Sequence, residues 1–146
     1  MVRGLASGTV ITGVDDSFTM KMYFHEIGDY EMINHIVEYE ANQRISWEPE
    51  AGNGHPGANT ANARWGHRWT YALTPEGART TIVTETYDFS RVSEHNMGRI
   101  GDGRHSIEAM ANSLERLDAL CTQAGTAAQA EAPVGRVPEA PVQGNR

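Results

Sequence analysis

The chain lacks most of the features that mark secreted, disulfide-bonded and membrane-spanning proteins. Its single cysteine, Cys121, cannot form an internal disulfide. The opening residues, MVRGLASGTVITG, contain no long apolar segment of the kind that a secretory signal needs. No stretch of the sequence approaches the roughly 18 apolar residues of a membrane-spanning helix. We therefore expect a cytoplasmic protein with no membrane span.

Basic residues are also scarce. The 19 Asp and Glu residues against 12 Lys and Arg give a net charge of -7, which repels phosphate backbones and anionic lipid headgroups. Nucleic acid is therefore not an expected partner. The six histidines show neither the helical spacing nor the Cys/His clustering of zinc sites, and the sequence has no P-loop or dinucleotide fingerprint. We expect neither a metal nor a cofactor.

The end of the chain differs in composition from the rest. Residues 126 to 146 are rich in Ala, Pro, Gly and Gln and contain no aromatic residue. Such a segment cannot offset the entropy lost on ordering by burying apolar surface. The remaining length is enough for one domain with its own core. The expected organisation is one domain over residues 1 to 125, followed by a disordered tail over residues 126 to 146.

Between residues 7 and 89 the hydrophobic pattern has a period of two, and Gly, Pro, Asn and Asp interrupt it at hairpin intervals. This pattern predicts about six antiparallel strands, at residues 7–12, 17–25, 30–40, 43–49, 63–74 and 78–89. In the second strand one face carries four apolar side chains: Phe18, Met20, Met22 and Phe24. That strand is expected to be half-buried.

Two turns allow a register to be predicted. Pro75-Glu76-Gly77 has the composition of a three-residue hairpin loop, with glycine in the left-handed conformation. Counting outward, it places Trp69 opposite Val83, His67 opposite Glu85 and Trp65 opposite Tyr87. Residues 40–42, with a left-handed Asn42, similarly place Val37 opposite Ile45 and His35 opposite Trp47.

After Phe89 the period changes from two to about 3.6 residues. Six positions form an apolar stripe: Ile107, Met110, Ala111, Leu114, Leu117 and Cys121. The stripe predicts one long amphipathic helix that ends near Gly125 and buries this face, Cys121 included, against the sheet. Strands followed by one helix indicate an α+β fold. A curved sheet of six strands leaves a concave face that one helix does not fill, so we expect a cavity between them.

These segments resemble a known superfamily. The runs FTMKMYF, YEMINHIVEYEANQRISWEPE, RWGHRWTYALTPEGARTTIVTETYDFS and SIEAMANSLERLDAL, in this order, are similar to START-like or helix-grip proteins, in the polyketide cyclase/dehydrase and lipid-transport branch. The resemblance covers roughly residues 8 to 122. It implies a curved antiparallel sheet gripping the C-terminal helix. Family members include cyclases, binders of apolar ligands and regulators of a chaperone ATPase.

The chain departs from that pattern at its start. Members begin with a further strand and two short helices, whereas this sequence opens on what resembles the second strand. The expectation is an N-terminally shortened helix-grip fold. An unpaired sheet edge and an open pocket mouth both favour self-association, so we expect a homodimer.

The candidate catalytic residues are His67 and Glu85. In the predicted register they are directly cross-strand, close enough for a hydrogen bond. A carboxylate that holds an imidazole in an aromatic pocket can remove an acidic α-proton, which aldol-type cyclisation requires. The alternative is that the pair is a structural hydrogen bond, or that its face looks outward.

Three functions are consistent with these residues. The first is binding of a hydrophobic small molecule, such as a lipid, a polyketide or another apolar or aromatic ligand, in the cavity between sheet and helix. The second is a polyketide cyclase/dehydrase-type enzyme, and the third is a protein-interaction module related to chaperone-ATPase activators. The expected ligand contacts are Met20, Met22, Trp65, Trp69, Tyr71, Val83, Tyr87, Met110 and Leu114.

Overall fold

The structure, a computed structural model, describes residues 2–5, 10–100 and 103–130. Its elements are β1 (Val2–Leu5), β2 (Ser17–Phe24), β3 (Gly28–Glu40), β4 (Arg44–Ala51), β5 (Arg68–Pro75), β6 (Thr81–Asp88), α1 (Glu94–Ile100) and α2 (Arg104–Ala130). Its contacts divide the chain into two compact units, Met1–Ala111 and Asn112–Arg146, and α2 contributes residues to both.

The first unit is built on an antiparallel meander. The strands are hydrogen-bonded in chain order from β1 to β6. The five longer strands, β2 to β6, form a curled half-barrel, and β1 adds four residues at one edge. Together with the C-terminal helix this confirms the predicted α+β class. The first strand was predicted in the wrong place: residues 10–12 are not in a strand, residues 7–9 lie outside the described residues, and β1 lies at Val2–Leu5.

The register between β3 and β4 differs from the prediction because the turn lies one residue later and the ladder contains a bulge. Asn42 is left-handed, with a φ of 62°, as expected. The turn, however, comprises residues 41–43, and the ladder shifts between Ile36 and Glu38. As a result Ile45 faces Tyr39 instead of Val37, and Trp47 faces Ile36 instead of His35. The extra residue re-aims the β3 side chains beyond it.

The register between β5 and β6 is also different. Gly77 is left-handed, with a φ of 80°, but the loop comprises residues 76–80 and is closed by a 2.8 Å hydrogen bond from the Glu76 N–H to the Thr80 carbonyl. The longer loop shifts the ladder by four positions. The observed facing pairs are Leu73 with Val83, Tyr71 with Glu85 and Trp69 with Tyr87. Since four is even, every side chain stays on its predicted face.

The two faces of the sheet therefore differ in character. One face carries Met20, Trp47, Trp69, Tyr71 and Tyr87, and we call it the aromatic face. On the opposite face the polar side chains are bonded to one another in pairs and small clusters: Ser46 with Glu38 and Thr70, Arg44 with Glu38, His35 with Glu50, and Arg68 and Arg91 with Glu48. Ser46 is fully buried there, where its hydroxyl group is satisfied by hydrogen bonds.

The helix α2 extends further than predicted. It passes Gly125 and continues to Ala130, and the rest of the predicted tail lies outside the described residues. Burial of the apolar stripe is wrong at three positions, because Ile107 is 67% exposed and Ala111 and Cys121 are exposed. Met110, Leu114 and Leu117 are half-buried.

The segment after β4 is held against the start of β3 by backbone hydrogen bonds. Gly52 donates to the Glu31 carbonyl at 2.9 Å, and the Glu31 N–H donates to the Asn53 carbonyl at 2.8 Å. At Gly54, which has a φ of 77°, a Cβ atom would lie 2.8 Å from the Asp29 carbonyl oxygen. The approach of these two backbones therefore requires glycine at position 54.

Replacing Gly54 with alanine is expected to destabilise the fold. The matched control is Gly77→Ala, because Gly77 has a similar φ of 80° but a Cβ atom at this position would have no neighbour within 4 Å. The control should lower the free energy of unfolding by about 1–2 kcal/mol, from backbone strain alone. Gly54→Ala should lower it by at least about 1 kcal/mol more, because of the collision. Urea unfolding monitored by tryptophan fluorescence measures both. Equal losses in the two variants would show that the collision is relieved without cost.

Candidate ligand-binding site

The aromatic face carries two groups of rings in contact. Trp47 joins β2 to β5: its ring lies 5.6 Å from that of Phe18 and 5.6 Å from that of Tyr71. Trp69 and Tyr87, which face each other across β5 and β6, stack with centroids 4.2 Å apart and planes 20° apart. Such pairs provide flat apolar surface at small entropic cost.

A second run of contacts connects this stack to the loop after β4. Tyr30 contacts His55 at 5.2 Å, and the run continues through Trp65 and His67, each step being 5.9 Å. His67 meets Tyr87 edge-on at 5.7 Å. The β3 end of the aromatic face is thus linked to β6 by an unbroken series of rings.

His67 lies immediately before β5 and is 8% exposed. Its Nδ1 atom is buried and has no hydrogen-bond partner among the described residues. Burial lowers the pKa of His67 to about 4, although the nearby Glu48 carboxylate acts in the opposite direction. The imidazole is therefore neutral at physiological pH, and it has one nitrogen that can serve a ligand.

Glu85 points to the same face from β6. Burial raises the pKa of this carboxyl group, and a hydrogen bond from Tyr71 partly offsets the effect. Its Oε2 atom is buried and has no hydrogen-bond partner in the described part of the chain. A carboxylate held in this way can accept a hydrogen bond or a proton.

The predicted hydrogen bond between His67 and Glu85 is wrong. Glu85 faces Tyr71, which is four residues from His67 along the chain, or about 13 Å at roughly 3.3 Å per residue. Glu85 is bonded to Tyr71 instead. The two candidate catalytic side chains share a face, separated along it by the Trp69–Tyr87 stack, but they do not form one acid/base unit. Their catalytic role stays a prediction.

The structure brings together most of the predicted ligand contacts. Trp65, Trp69, Tyr71 and Tyr87 belong to the ring groups described above, and Met20 and Met22 lie on the same face of β2. Val83 faces Leu73 near the β5–β6 loop. Met110 and Leu114 lie on α2, and their part in ligand binding stays a prediction.

Three participants were not predicted. Trp47 was expected to face His35, although the period of two within β4 already placed it with Ile45 on one face. The rings of Tyr30 and His55 meet across the contact between β3 and the loop after β4. His55 lies in a loop without periodicity, so no sequence signal indicated its position.

Further polar atoms are buried without a partner among the described residues. On or beside the aromatic face these are the indole Nε1 atoms of Trp47 and Trp65 and the Oδ1 atom of the fully buried Asn34. Buried polar atoms in folded proteins are normally paired. A few polar groups set among aromatic walls are typical of small-molecule sites, where they orient the ligand.

A cleft of about 400 Å³ opens at the β2–β3 hairpin end of the sheet. Its lining is mixed in polarity: Lys21, Met22, Asp29, Tyr30, Glu31, Asn53 and Gly54. Through Met22 and Tyr30 it adjoins the aromatic face.

Within the described ranges, no cluster of three or more His, Cys, Asp or Glu side chains could hold a metal ion. No helix in that part of the chain is long and apolar enough to cross a membrane. Comparison with protein-family models, with curated proteins and with solved structures gives no match.

The buried His67 predicts a pH-dependent stability. Because its pKa is lower in the folded state (about 4) than the ordinary value of 6.5, the unfolded chain binds the proton more readily between these values. The stability that the neutral, buried His67 contributes is fully present above pH 6.5 and is lost as the pH falls towards 4. From about pH 7.5 to about pH 4.5, the free energy of unfolding should fall by about 2–3 kcal/mol more in the wild type than in His67→Gln.

Urea titrations at the two pH values measure this difference. The control is His25→Gln, because His25 is exposed, and this variant should follow the wild type. An identical loss in His67→Gln and wild type would show that His67 does not stay neutral in the folded protein.

Proposed function

We propose that the chain binds an apolar, ring-containing small molecule on the aromatic face of its sheet. The observation that carries the proposal is the stacked Trp69–Tyr87 pair, which is flanked by buried polar atoms with no partner in the described residues. The resemblance to START-like proteins, many of which hold lipids or polyketides, supports the same function.

The half-buried state of these rings favours binding over a purely structural role. Trp47, Trp69, Tyr71 and Tyr87 are each only partly buried, so apolar surface remains available to a ligand. Covering such surface contributes roughly 25 cal/mol per Å². Two polar groups can then orient a bound ligand, because the His67 imidazole lies on one side of the stack and the Glu85 carboxyl on the other. An elongated ligand with polar groups at both ends matches this arrangement.

Replacing Trp69 with alanine should weaken binding. Loss of half of the stacked pair is expected to raise the Kd for an apolar fluorescent probe, N-phenyl-1-naphthylamine, by about tenfold or more. Trp69→Phe retains a ring and should recover most of the affinity. Titration of probe fluorescence against protein concentration gives the Kd for each variant.

The control for this experiment is Tyr23→Ala. Tyr23 lies on β2, on the face opposite to Met22, so its loss should leave the Kd unchanged. Circular dichroism of each variant establishes that it is folded. If folded wild-type protein does not bind the probe, the ligand-binding proposal fails and the interaction-module hypothesis takes its place.

A second candidate function is the cyclase/dehydrase type of chemistry. The observation that favours it is the Tyr71–Glu85 hydrogen bond beside aromatic walls, with the pKa of Glu85 raised by burial. In this scheme the Glu85 carboxylate removes a proton from the carbon between two carbonyl groups. The enolate forms a carbon–carbon bond to a third carbonyl carbon of the same molecule, and the protonated Glu85 returns its proton to the resulting alkoxide.

The variant Glu85→Gln distinguishes the two proposed functions. An amide cannot take up the proton, so the rate of cyclisation of a linear poly-β-ketone, followed by ultraviolet absorbance, should fall at least about 100-fold. The Kd of the apolar probe should change by less than about threefold. Thr86→Ala, on the opposite face of β6, is the control. An unchanged rate in Glu85→Gln would remove the enzymatic candidate and leave the binding proposal intact.

A further inference from the structure

The two edges of the sheet are built differently. The β1 edge is a strand of only four residues, and its register is irregular between Val2 and Gly4. Short, irregular edge strands do not template further pairing. The β6 edge is a strand of eight residues in continuous register with β5. Among the described residues, no strand other than β5 pairs with β6.

The composition of β6 also favours pairing. Its sequence, TIVTETYD, has a high content of β-branched residues and contains no Pro, Gly, Lys or Arg. Ile82 is 47% exposed, and Thr84 and Thr86 are exposed as well. Natural edge strands are usually blocked by lysine, proline, a bulge or an inward-pointing charge. Of these devices β6 has only Glu85, and its carboxyl is engaged by Tyr71 of the same chain.

We propose that β6 pairs antiparallel with β6 of a second copy of this chain, so that two six-stranded sheets become one. A two-fold axis at Thr84 places Thr84 opposite Thr84 of the second copy, Ile82 opposite Thr86, and Val83 opposite Glu85. No like charges meet in this register. An axis at Glu85 would set two carboxylates directly opposite each other, which is unfavourable.

An axis at Val83 is less suitable for a different reason. It would place Tyr87 and Asp88 opposite residues of the 76–80 loop, so fewer strand residues would pair. The register centred on Thr84 uses residues 81 to 87, almost the whole strand. It is isologous, as two-fold dimers require.

The register has a consequence for the aromatic face. Directly opposite residues in antiparallel strands share a face. Val83, Glu85 and Tyr87 of both copies would therefore line the same side of the joined sheet. The Trp69–Tyr87 stacks of the two subunits would lie on one continuous surface. The dimer itself does not depend on ligand binding, and failure of the probe experiments would leave this inference in place.

The register can be tested by a charge swap at the two-fold axis. Sedimentation equilibrium of the full chain at micromolar concentrations should give twice the 16.0 kDa mass of one chain. Thr84→Lys and Thr84→Glu each place like charges opposite each other, so each variant alone should be monomeric. An equimolar mixture of the two variants should recover the dimer, since a lysine of one copy then faces a glutamate of the other across the axis.

The control variant is Thr19→Lys, on β2 within the sheet and on the same face as Thr84, which should remain dimeric. Circular dichroism confirms that each variant is folded. A monomeric wild type at these concentrations would overturn the proposal. So would a dimer that survives in both single variants, or a mixture that stays monomeric while its components are folded.

Discussion

The architecture of the sheet depends on the strict alternation of side chains along its antiparallel strands. This constraint collects the rings of β4, β5 and β6 on one face, together with Glu85, and most of the charged side chains on the other. The polar face is satisfied internally: Glu48 accepts hydrogen bonds from Arg68 and Arg91, and Ser46 bonds to Thr70. On the aromatic face, by contrast, several buried polar atoms have no hydrogen-bond partner among the described residues. This difference in hydrogen bonding between the two faces is the reason to propose ligand binding on the aromatic one.

The preference of His67 and Glu85 for their neutral forms follows from the same difference between the two faces. Each is a titratable group set among rings, and desolvation shifts both towards their neutral forms, lowering the pKa of the imidazole and raising that of the carboxyl. The Trp69–Tyr87 stack keeps them apart. They are therefore better suited to contact the two ends of one ligand than to share a proton directly. The two proposed functions, binding of an elongated molecule and enolate chemistry at Glu85, would use the same surface.

The two edges of the sheet differ in length and regularity, which is the basis for proposing that a second copy pairs at β6. The β1 edge is short and irregular, whereas the β6 edge is regular and pairs with no strand other than β5 in the part of the chain that the structure describes. Since β6 carries both Tyr87 and Glu85, any strand added there lies next to the candidate site. The proposed dimer interface and the proposed ligand site would then lie side by side on one surface, although each proposal rests on its own observation.

The sequence by itself determined the α+β class, five of the strands and the face shared by the aromatic residues of β5 and β6, because these follow from local periodicity. It also identified Asn42 and Gly77 as left-handed turn residues. Only the tertiary structure decided which residues face one another. Two additional loop residues before Thr81 moved Glu85 from His67 to Tyr71, and the position of the turn and the bulge after Ile36 changed the pairing of β3 with β4. Turn length and bulges depend on how whole strands pack, whereas alternation depends only on the geometry of each strand.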